Sequence, residues 1–63
     1  MSELAYLASR LAGQWMKQFG PVGLGWMDAL IAATATVAGI PLLTRDRGLV
    51  QVLQSEAEFV QYD

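Results

Sequence analysis

The stretch "WMDALIAATATVAGIPLLTRD", residues 26–46, decides the fold. From Met27 and Asp28 to Ala38 it consists of small or apolar residues without a polar stripe, the pattern of a helix buried on most of its sides. Gly39 is a helix stop. "IPLLT", residues 40–44, then reads as a short strand, with Pro41 at its start where the missing N–H is tolerated. A helix that feeds an apolar strand through so short a link is the second half of a βαβ unit. Strands of such units are buried on both faces and read as continuous apolar runs. Within this apolar run stand two carboxylates, Asp28 at the opening of the helix and Asp46 just past the strand. Burying an unpaired carboxylate is costly, so each must cap a backbone end, face solvent or hold a cation.

Outward from this stretch the periodicity stays legible. Ser2 is a helix N-cap, followed by Leu4, Leu7, Ala8, Leu11, Trp15 and Phe19 at steps of three and four, one apolar face. Tyr6, Arg10, Gln14 and Lys17 make the opposite, weakly basic stripe, which reads first as a solvated face and second as a contact for phosphate. Gly20 and Pro21 end that helix, and "GPVGLG" is a loop. After the central stretch, Leu49 to Leu53 form a short helix and "EFVQY", residues 58–62, a last strand. The order is ααβαβ, an α/β chain with a short parallel sheet. Residues 1–63 are one small domain. Glu56, Glu58 and Asp63 lie beyond the last motif and are expected in solvent.

Composition narrows the function classes. With 63 residues, 54% of them apolar and 16% charged, the chain has more apolar surface than so small a core encloses. A second copy or another partner is therefore expected over the remainder. A net charge of −2 without His gives no broad basic field for wrapping nucleic acid, so any contact with a polyanion must be local or metal-mediated. The absence of Cys excludes disulfides, thiolate metal sites and thiol catalysis, and permits a reducing compartment. "MSELAYLASR" lacks a basic segment ahead of an apolar one and does not read as a signal peptide. The apolar run from Gly20 to Leu43 is broken by Pro21, Gly23, Gly25, Asp28, Gly39 and Pro41, which argues against a membrane span. A cytoplasmic location is expected.

Taken singly, each aspartate has an ordinary explanation. The first turn of a helix welcomes a carboxylate, which accounts for Asp28. Asp46 suits a turn or the N-cap of the short helix that follows. Their pairing is less ordinary, because ligands of open α/β sheets bind outside the carboxyl ends of the strands. If the chain reverses at Gly39 and Ile40, the start of the helix and the end of the strand share one edge. Two carboxyl groups within about 8 Å can share a hydrated cation. Arg45 and Arg47 flank Asp46 and suit either phosphate or a solvated surface pair.

"GLGWMDALIAATATVAGIPLLTRD", residues 23–46 in its core, resembles the rear half of a PIN domain, the fold of VapC-type toxins of toxin–antitoxin pairs. "DALIAATA" corresponds to the motif that opens the family's penultimate long helix, and "TRD" to the T-x-D that closes the next strand. The resemblance implies a truncated, partial PIN-like fold, completed by a missing PIN half or a homo-oligomer. By the family's roles, Asp28 and Asp46 would be catalytic and would bind Mg²⁺ or Mn²⁺, with Thr44 a polar neighbour of that site; Thr44, Arg45 and Arg47, beside Asp46 in the chain, are then expected to bind the RNA substrate. A full PIN domain begins with a strand bearing a first catalytic Asp and helices that supply a Glu, and nothing here matches them. The implied protein is the C-terminal part of a metal-dependent endoribonuclease, inactive alone, with an antitoxin as a possible regulator. The alternative is a non-catalytic α/β module derived from a PIN domain that dimerises or binds a regulator.

Overall fold

The computed structural model describes residues 2–62, and Asp63 lies outside them. The elements run α1 (Glu3–Phe19), a 3-10 turn (Gly20–Val22), α2 (Trp26–Ala38), β1 (Leu42–Thr44), α3 (Arg47–Leu53) and β2 (Phe59–Gln61). The expected order ααβαβ is observed, with the loop after α1 tightened into one turn of 3-10 helix. β1 and β2 pair in parallel through α3, in the register Leu42 with Phe59, Leu43 with Val60 and Thr44 with Gln61. The result is an α/β fold with a two-stranded parallel sheet, as expected for part of a PIN-like fold.

Local chemistry accounts for the helix ends. The Ser2 hydroxyl accepts the Ala5 N–H at 3.1 Å, capping α1, and Glu3 adds a carboxylate to the first turn. α2 ends in a Schellman motif, in which Gly39 N–H donates to Thr36 O at 3.1 Å and Ile40 N–H to Ala35 O at 3.0 Å. Gly39 adopts φ 74°, where a side chain is strained whatever space surrounds it. A Cβ there would meet nothing within 4 Å, so the cost of Gly39→Ala is backbone strain alone. We expect a loss of about 1–2 kcal/mol and a melting midpoint lowered by at least ~4 °C. A thermal melt followed by circular dichroism measures it, and an unchanged midpoint would show that the turn relaxes.

The core forms where α1 crosses α2. Small side chains meet there, Ala8 and Ala12 from α1 with Ala29, Ala32 and Ala33 from α2, so the two backbones approach closely. Trp15, Leu24, Leu49 and Leu53 complete it, with Leu42 and Phe59 of the sheet packed against it. Three expectations fail here. Leu4 and Leu7 continue the apolar face of α1 by spacing but are exposed, because α1 extends past the end of the shorter α2. α2 is buried on one side only. Leu30, Ile31, Thr34, Ala38 and Ile40 border an apolar surface depression of about 390 Å³, and Thr34 returns its hydroxyl to Leu30 O at 2.7 Å. β1 is likewise covered on one face, for Leu43 is 62% exposed and its register partner Val60 is exposed beside it. The reason is the same for α2 and β1: elements with apolar surface on two sides need layers on both, and these described residues supply one.

Candidate functional site

The two aspartates meet at one small hollow. Asp28 and Asp46 both line it, in a volume of about 190 Å³ walled by Val22, Leu24, Leu49 and Val52, with Gly23 and Gly48 at its rim. Three pieces of local structure bring them there. Gly25 opens α2 as N-cap with no side-chain bond of its own, which leaves Asp28 in the first turn as that helix's acidic residue. The reversal at Gly39 returns the chain alongside α2, so the end of β1 reaches the level where α2 begins. The turn after β1 is then closed by Thr44, whose hydroxyl accepts the Asp46 N–H at 3.0 Å.

Asp46 is the N-cap of α3. Its Oδ1 accepts the Leu49 N–H at 3.0 Å and its carbonyl accepts the Val50 N–H at 3.2 Å. This is the arrangement in which a side-chain oxygen satisfies one of the free donors of a helix start. The cap engages Oδ1 and not Oδ2. Asp28 is half-buried, and its Oδ2 would lie 4.0 Å from a Cβ placed on Gly25. Two carboxylates facing one partly enclosed space are hard oxygen donors of the kind that Mg²⁺ and Mn²⁺ accept while keeping several waters. The donor set therefore fits a hydrated divalent cation held loosely. Among the described residues no group of three or more Asp, Glu, His or Cys gathers in one place.

The other residues singled out by sequence stand outside this hollow. Thr44 acts on it indirectly, through the backbone of Asp46. The Arg45 guanidinium lies over the Tyr62 ring, 5.8 Å from its centroid. Arg47 begins α3 and borders a separate polar depression with Gln51, Gln54 and Gln61. One residue at the hollow carried no expectation. A Cβ on Gly48 would come within 3.3 Å of Asp46 Oδ1, so glycine at this position leaves the capping carboxylate its room. The signal was available in the spacing, since glycine in the first turn of a helix is a poor helix former that needs a reason.

The comparison with protein families gives one match. A family described as PIN domain matches residues 2–53, most of the chain and the whole segment from the N-cap of α1 to the end of α3. No curated protein and no solved structure matches it. No helix among the described residues is long and apolar enough to cross a membrane.

Proposed function

The chain belongs to the PIN-domain family, and from that premise we propose that it is the C-terminal part of a VapC-type, metal-dependent endoribonuclease that works in the cytoplasm and is inactive alone. The observation that supports this reading is the shared hollow of Asp28 and Asp46. In it both aspartates would hold Mg²⁺ or Mn²⁺, which when bound supplies charge neutralisation at phosphate and a more acidic water. Asp46 is held by its bond to Leu49 N–H and by the turn at Thr44, so one ligand oxygen is oriented before any cation arrives. Thr44, Arg45 and Arg47 lie within two residues of Asp46 in the chain, and we assign them to RNA contact on the surface outside the hollow.

Two carboxylates make an incomplete site. Orienting a water and clamping both the attacking and leaving oxygens takes more ligands than Asp28 and Asp46 provide. The missing ones would come from a second chain carrying the front of the fold, and an antitoxin would act by occupying the mouth of the hollow. The chain alone is therefore expected to bind Mn²⁺ weakly and to leave single-stranded RNA uncut. A calorimetric Mn²⁺ titration beside a cleavage assay tests both points. Asp28→Asn and Asp46→Asn should each weaken binding about tenfold or more, while Asn keeps the N-cap of α3. Asp46→Ala should in addition cost about 1 kcal/mol of stability. Binding unchanged by both Asn variants would reduce Asp28 to a first-turn carboxylate and Asp46 to a cap, and cleavage by the wild type that is lost in both variants would show that the half-site suffices.

A second reading is carried by the uncovered faces of α2 and β1. In it the chain is a non-catalytic module that dimerises or binds a regulator. Leu43 and Val60 form a bare apolar face on a parallel sheet, and among the described residues the outer edge of β1 has no neighbouring strand. Both readings place a partner there, a homo-oligomer in one case and a completing chain in the other. Sedimentation at high micromolar concentration should give a dimer, and Leu43→Lys should shift it to monomer. A monodisperse wild-type monomer would remove the homo-oligomer.

A further inference from the structure

A second groove lies between the outer side of α1 and the first residue of α2, away from the hollow of the aspartates. Its walls include Arg10, Gly13, Gln14, Lys17 and Trp26, and its volume is about 580 Å³. Four observations set it apart. The chain has four Lys and Arg residues and a net charge of −2, yet this groove collects two of the cations and no carboxylate. Trp26 is 61% exposed at the start of α2, where neither cap nor core requires an aromatic. The Arg10 guanidinium is held by Tyr6, whose hydroxyl accepts Nη1–H at 3.3 Å and whose ring centroid is 5.8 Å away. Gly13 sits on the floor of the groove in the interior of α1, where glycine weakens a helix. A Cβ on it would meet nothing within 4 Å, so packing inside the chain does not demand it.

Cations, an exposed aromatic plane, an amide and a floor stripped of side chain are the parts of a site for single-stranded nucleic acid. Bases stack on the aromatic plane, cations follow the backbone, and a bare floor lets the strand come close. Its charged members, Arg10 and Lys17, are both cationic, which favours a polyanion over a neutral or cationic partner. We propose that this groove seats one base of a single-stranded RNA on the Trp26 indole, with Arg10 and Lys17 on the flanking phosphates. The choice of RNA rests on the nuclease reading above; the groove itself does not. Trp26 and Asp28 are two residues apart on α2, about 200° around its axis. A strand stacked on Trp26 thus passes over the start of a helix about 10 Å wide, some three stacked nucleotides, before it reaches the hollow.

The test is fluorescence anisotropy of a short fluorescein-labelled single-stranded RNA of mixed sequence, at low salt and in EDTA, with circular dichroism to confirm that each variant is folded. Trp26→Ala should weaken binding roughly 10- to 100-fold. Lys17→Gln should weaken it less and flatten the salt dependence by about 0.7 in log–log slope. Gly13→Glu puts a carboxylate on the floor at a position where the helix gains stability, so it should abolish binding in a folded chain. Double-stranded RNA, whose bases are already stacked, should bind more weakly than the single strand. Absence of wild-type binding overturns the proposal, as does binding by Trp26→Ala and Gly13→Glu equal to wild type, or equal affinity for the duplex. EDTA separates this outcome from the metal chemistry. RNA held through the groove by a chain that takes up no Mn²⁺ would overturn the nuclease reading and leave the groove standing.

Discussion

Trp15→Ala is expected to leave the chain largely unfolded at room temperature. Trp15 is 3% exposed and belongs to the buried cluster that holds Ala8, Ala12, Leu24 and Leu53. Five of the buried residues that share its cluster are alanines, which have no length with which to fill the space left by an indole. The cavity therefore stays open, the condition under which aromatic truncations cost most, about 3–5 kcal/mol. A domain of this size has little more than that in total. Leu7→Ala is the matched control, since Leu7 belongs to the same spacing pattern on α1 but is exposed, and it should cost well under ~1 kcal/mol. Urea titrations of both variants, read by far-ultraviolet circular dichroism, decide the matter. Equal midpoints for the two would mean that the core is not where α1 crosses α2.

Ala12→Leu is expected to be nearly as damaging for the opposite reason. Ala12 is fully buried against α2, and the crossing is built from methyl groups on both helices. Three additional carbons cannot be accommodated without driving the helices apart, which would also uncover Ala29 and Ala33. Overpacking of this kind costs about 1–3 kcal/mol and sometimes more. In so small a domain each kcal/mol lowers the melting midpoint by roughly 4–8 °C. The same substitution at Ala5, exposed on α1, should be neutral because Leu is as good a helix former as the site requires. A chain that tolerates Leu at position 12 would place α1 and α2 further apart than the structure has them.

The uncovered apolar surface has the same origin as the small size of the core, a shortage of layers. The alanine crossing buries one side of α2, and Leu42 and Phe59 cover one face of the sheet. Leu30 and Ile31 on α2, like Leu43 on β1, remain in water. Exposed apolar surface beside an open strand edge is where a second chain gains most.

Most of the chain's local structure was legible from residues 2 to 62 without any neighbour. Ser2 before an apolar period predicted the start of α1, and Gly39 after the alanine-rich run predicted the end of α2. "IPLLT" and "EFVQY" predicted the two strands within two residues at each end. These features depend on backbone chemistry within a turn or two, where residue type and conformation are tightly linked. The PIN resemblance was legible for a similar reason, since "DALIAATA" and "TRD" mark the two ends of one helix–strand unit.

Burial was not legible in the same way. Spacing placed Leu7 and Trp15 on one face of α1, and only the length of the helix packed against it separated the exposed one from the buried one. An all-apolar α2 predicted enclosure, but enclosure depends on how many layers surround the helix, which its own residues do not specify. The same holds for the aspartates. The sequence determined that Asp28 opens a helix and Asp46 precedes one, because caps and first turns are matters of hydrogen bonds a few residues long. That both carboxylates line one hollow, with Gly48 leaving room beside Asp46, was decided by the reversal at Gly39 and by Leu49 and Leu53 of α3 entering the same buried cluster as Ala29 of α2. Those contacts join residues distant in sequence, and no local preference encodes them.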